Sequence, residues 1–72
     1  MKKYEVIHQH PNGESESVFK NTPEEALDLA NEILKGVTPQ GVIGFVSVSE
    51  VEIRNDEIYE SAILLARAYM HA

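Results

Sequence analysis

Residues 21–36 read NTPEEALDLANEILKG, a segment that carries both its own start and its own stop. Thr22 is a good N-cap, Pro23 suits the first helical position, and Glu25 stands three residues after the cap, completing a capping box. Ala26, Leu27, Leu29, Ala30, Ile33 and Leu34 recur at helical spacing, and Gly36 is a natural stop just past the end. The spacing predicts a helix over 23–35 whose apolar stripe has to be buried against another layer.

The flanking stretches supply strands for that layer. YEVIHQH (4–10) and ESESVF (14–19) have strand character and are separated by Pro11-Asn12-Gly13. Proline presets φ at the first central position of a turn, asparagine suits the second, and glycine takes the left-handed position of a bulged hairpin loop. After the helix, VIGFVSVSEVEIR (42–54) is long and β-branched. Its alternation slips: Val46 and Val48 share one face, whereas Val51 and Ile53 share the other. A bulge near Ser49, or a change in which face is buried, would account for the slip. Beyond Asn55-Asp56, the residues Ile58, Ala62, Leu65 and Tyr69 form a helical stripe, widened by Ile63, Ala66 and Met70. Asn55 or Asp56 can cap this second helix, and Asp56 and Glu57 suit its positive end. The expectation is a single α+β domain over 1–72, in the order β-β-α-β-α. Its three-stranded antiparallel sheet has the order 2-1-3, with strand 1 central and both helices on one face. The long third strand then has an overhang with no partner in the chain.

Composition narrows the function. The chain has no cysteine, which removes disulfides and thiolate zinc sites and fits a reducing cytoplasm. The longest apolar run, AILLA at 62–66, is far too short to cross a membrane. Twelve acids face six bases, a net charge of −6. Nucleic-acid binders carry the opposite sign because they displace counterions from phosphate, so neither nucleic acid nor anionic membrane is an expected partner. No serine lies in a nucleophile elbow, and Gly36, Gly41 and Gly44 lack phosphate-loop spacing. Glu50 and Glu52, with Arg54, read as the charged outer face of a strand. Neither an enzyme nor a cofactor is expected.

Three candidate sites remain. If His10 faces Glu14 across the turn, then His8 faces Glu16 and Val6 faces Val18, and alternation gathers His8, His10, Glu14 and Glu16 on one face. Such a group could hold zinc, nickel or manganese, but any polar hairpin ladder yields this spacing. Solvated cross-strand pairs are the preferred reading, with no tight metal site. Glu24, Glu25, Asp28 and Glu32 line the outer side of the first helix with only Lys35 to balance them, and form the expected partner-binding face for a basic protein surface. Finally, apolar residues occur on both sheet faces: Val6 and Val18 project one way, Ile7 and Phe19 the other. The uncharged stretch 42–48 therefore suggests a homodimer along the third strand, through Val42, Ile43, Phe45, Val46 and Val48.

No stretch carries a family signature. In size, acidity and lack of catalytic motifs the chain is similar to small phage-encoded inhibitors of the anti-CRISPR and anti-restriction class, and to many small bacterial accessory proteins. That resemblance implies a non-enzymatic cytoplasmic module that blocks or modulates a larger protein. The alternatives are a metal- or small-ligand-binding domain centred on the hairpin, and a structural homodimerisation module.

Overall fold

The first hairpin follows from its turn chemistry. In the computed structural model, which describes residues 1–10, 12–36 and 43–70, β1 (Lys2–Gln9) and β2 (Ser15–Lys20) pair antiparallel. The Gly13 N–H donates to the His10 carbonyl (3.0 Å) and the His10 N–H to the Glu14 carbonyl (2.7 Å). Gly13 has a φ of +94°, a conformation open to glycine at no steric cost. The expected register holds, with Val6 opposite Val18 and His8 opposite Glu16. Pro11 lies outside the described residues.

The helix α1 (Pro23–Gly36) begins on its cap: the Glu25 N–H donates to Thr22 Oγ1 (3.2 Å), which donates in turn to Glu25 Oε1 (3.1 Å). Strand β3 (Ile43–Arg54) pairs antiparallel with β1 in unbroken register, from Lys2–Glu52 to Gln9–Phe45. Even-numbered positions of both strands therefore face one side of the sheet, and α1 covers that side. Val6, Val46 and Val48 meet Ala26 and Ala30 there, none more than 2% exposed, ringed by Tyr4, Leu27, Leu29, Ile33, Leu34, Leu65 and Tyr69. Alanine at both helix contacts lets the backbone approach the valines closely, and each buried valine contributes roughly 1.5–3 kcal/mol. Val51 is also buried but lies outside this cluster, on an odd-numbered position of the other face. Both explanations of the slipped alternation have a counterpart: Val51 is buried on the other face, and the pairing of β3 with the strand after it shifts register between Val48 and Ser49.

The second helix and the three-stranded sheet are overturned. Residues Glu57–Met70 form a fourth strand, β4, antiparallel to β3, so the order is β-β-α-β-β and the sheet is β2-β1-β3-β4. The overhang of β3 is paired along its length. Asn55 and Asp56 make a tight turn, both with positive φ (51° and 65°), rather than a helix cap. This backbone matches the strand twist in two-residue hairpins. Fourteen residues of β4 oppose twelve of β3, and the two extra residues enter at register shifts facing Val48/Ser49 and Glu50/Val51. Opposite the α1-facing positions 52, 50, 48, 46 and 44 of β3 stand Tyr59, Ala62, Leu65, Arg67 and Tyr69. Each bulge stretches the strand period from two to three, so Ala62, Leu65 and Tyr69 share a face just as they would on a helix. At the second shift the Ser61 hydroxyl lies 3.1 Å from the Glu50 carbonyl and 3.2 Å from its carboxylate. No helix among the described residues is long and apolar enough to cross a membrane.

Candidate functional site

The hairpin gathers its polar side chains on the α1 side of the sheet. Alternation sets His8 and His10 on one face of β1, and the β2 register brings Glu16 opposite His8. The two imidazole centroids are 3.9 Å apart with planes tilted by 37°. His10 Nε2 lies 3.3 Å from Glu16 Oε2, is sealed from solvent, and has no hydrogen-bond partner. One ligand-bearing atom from each of His8, His10 and Glu16 falls within 4.8 Å of the other two. Glu14 is not part of the group; its N–H donates to Asn12 Oδ1 (2.9 Å) across the turn.

A fourth side chain, Tyr69, which the sequence places on an expected helix and not at this site, completes the arrangement. Tyr69 stands opposite Gly44, and a β-carbon at Gly44 would overlap the Tyr69 ring. The glycine leaves a trough across which the ring reaches β1, bringing its hydroxyl 2.9 Å from His8 Nε2. Reading 57–70 as a strand would have exposed this pairing. Burial holds the His8 pKa below its ordinary value, reinforced by the neighbouring His10 and opposed by Glu16.

The acidic helix face is where the sequence puts it. Glu24, Glu25, Asp28 and Glu32 are all exposed. Glu25, Asp28 and Glu32 line a shallow groove of about 270 Å³ with Leu29 and the β2 residue Lys20. Glu25 is engaged by Thr22, but the carboxylates of Glu24, Asp28 and Glu32 make no hydrogen bond or ion pair among the described residues. Glu50 and Glu52 are taken up within the sheet: Glu50 by Lys2 (3.4 Å), Tyr4 and Ser61, and Glu52 by Arg54 (3.7 Å).

The edge expected to carry a dimer is closed. From Phe45 to Glu52, β3 is paired on both sides, by β1 and β4, and Val46 and Val48 are fully buried beneath α1. Phe45 is 36% exposed on the face away from α1. Ile43 keeps its backbone pairing to Met70, and Val42 lies outside the described residues. The sheet edges are instead β2 and β4. No protein-family model, curated protein or solved structure matches this chain.

Proposed function

We propose that the chain is a non-enzymatic binding module whose α1 face docks a basic segment of a larger protein, blocking or modulating it. The groove beside α1 carries this reading. There Leu29 forms an apolar floor among Glu25, Asp28 and Glu32. A lysine or arginine laid across it sets its aliphatic stem on Leu29 and its charged head beside Asp28 and Glu32, whose carboxylates make no ion pair among the described residues. The net charge of −6 steers a basic partner toward this face and disfavours nucleic acid and anionic membrane. By size and acidity this is the general mode of phage-encoded inhibitors of the anti-CRISPR and anti-restriction class. A cytoplasmic setting belongs to the same reading, supported by the lack of cysteine. Asp28→Lys/Glu32→Lys tests it without touching the cap residue Glu25. A partner captured by the wild type and released by the folded double variant supports the reading, whereas equal capture by both ends it.

A second copy of the chain is an additional partner in this reading, through β4 rather than β3. Ile58, Ile63 and Leu64 are 53%, 62% and 42% exposed along β4, and its outer edge has no strand partner among the described residues. Two such edges can pair antiparallel about a twofold axis, satisfying their N–H and C=O groups. Light scattering on the wild type and on Ile63→Lys decides this point. A dimer dispersed by the lysine supports it; a wild-type monomer at about 100 μM, weaker than any stable complex on the affinity scale, removes it.

A further inference from the structure

Beyond that binding role, we propose that His8, His10 and Glu16 form a site for a divalent transition metal of the zinc class, with a fourth position open. Four observations converge on it. First, the donors come from paired strands whose turn is held by two backbone hydrogen bonds and a positive-φ glycine, so their register is set before any ion arrives. Second, the spacing is close to what an ion needs. Bonds of about 2.0–2.2 Å in a tetrahedron put ligand atoms about 3.3–3.6 Å apart. His10 Nε2 and Glu16 Oε2 already stand at 3.3 Å, and all three donors fall within 4.8 Å. The His8 and His10 rings, with centroids 3.9 Å apart, have to open to about 5 Å around a tetrahedral ion, and the Glu16 side chain, 72% exposed, can follow them.

Third, His10 Nε2 is shut off from water and makes no hydrogen bond; it faces the Glu16 carboxylate oxygen at 3.3 Å, and an ion between the two would satisfy both. Fourth, the His8 ring is held from outside the hairpin by the Tyr69 hydroxyl. Metal-binding imidazoles are commonly oriented through such a contact at the second ring nitrogen. Two imidazoles with one carboxylate select zinc, nickel, cobalt or copper over magnesium and calcium, which require oxygen donors. A bound ion would tie β1 to β2 at the turn end of the hairpin, and through Tyr69 to β4. Its fourth position is free for water or for a donor from a partner.

The test is calorimetric titration of zinc into the untagged, chelator-stripped full chain, with millimolar magnesium and calcium present throughout. One-to-one binding tighter than about 10 μM is expected. His10→Ala and Glu16→Gln should each weaken it at least about tenfold, and Tyr69→Phe by about 10-fold or more, as outer partners of metal ligands do. Wild-type affinity weaker than 10 μM, on that same scale, overturns the site. So does binding unchanged in His10→Ala, which would assign the zinc to the diffuse acidic surface. Should a variant fail to fold, imidazole nitrogen shifts in the wild type decide. Zinc must move the rings of His8 and His10 together; a response confined to His71 overturns the proposal.

Discussion

The two hairpins of this protein solve the same problem with different means. The β1–β2 turn uses a glycine at φ +94° and short strands of eight and six residues in simple register. The β3–β4 turn has no glycine. It forces Asn55 and Asp56 to positive φ and then pairs twelve residues with fourteen through two register shifts. The first hairpin is specified locally, by a turn that hardly any other structure would use. The second is specified by its partner strand, because β3 has a second edge that needs covering along its whole length. Local turn strength and strand length thus trade against each other, and the long strand tolerates the poorer turn.

The comparison can be broken at the point where the hairpins meet. Val48 lies opposite Val6 of the first hairpin and Leu65 of the second. Val48→Ala should lower stability by roughly 2–3 kcal/mol in a denaturant titration, the lost burial plus a cavity. A loss below 1 kcal/mol would mean that the hairpins do not share one core. Gly44→Ala comes next. Its methyl displaces the Tyr69 ring, costing about 1–3 kcal/mol as overpacking does. It should also shift the His8 ring resonances, and unchanged His8 signals would show that Tyr69 does not orient that ring.

Smaller changes compare the turns themselves. Gly13→Ala forces a side chain into positive φ and should cost about 1–2 kcal/mol. Asp56→Gly relieves the same strain in the other turn and should add up to about 1 kcal/mol. Equal effects of opposite sign would mean that both turns are equally strained. The smallest effect is that of pH on the chelator-treated protein. The His8 pKa is lowered on folding from 6.5, with His10, Glu16 and Tyr69 as its facing groups. Below pH 6.5 the unfolded chain then binds more protons than the folded one, so stability falls as pH drops through that value and levels off below the folded pKa. His8→Gln should flatten that part of the profile, and an unchanged slope would assign it to other groups.

The sequence by itself determined the elements whose signals lie within a few residues of one another. Pro11-Asn12-Gly13 implies the first hairpin, and its register follows by counting outward, which is why His8 and Glu16 were legible as neighbours. Thr22 and Glu25 announce the start of α1, and Gly36 its end. The tertiary structure alone decided residues 57–70. Ala62, Leu64, Leu65, Ala66 and Ala68 favour a helix in isolation, and their apolar spacing looks helical. Yet a strand is defined by hydrogen bonds to a partner far away in sequence, and β3 offered a second edge along its whole length. Two bulges then converted a helix-like spacing into one shared sheet face, and only that conversion carried Tyr69 to His8. Helical periodicity records which residues share a face, but it does not record whether turns of a helix or bulges of a strand bring them there.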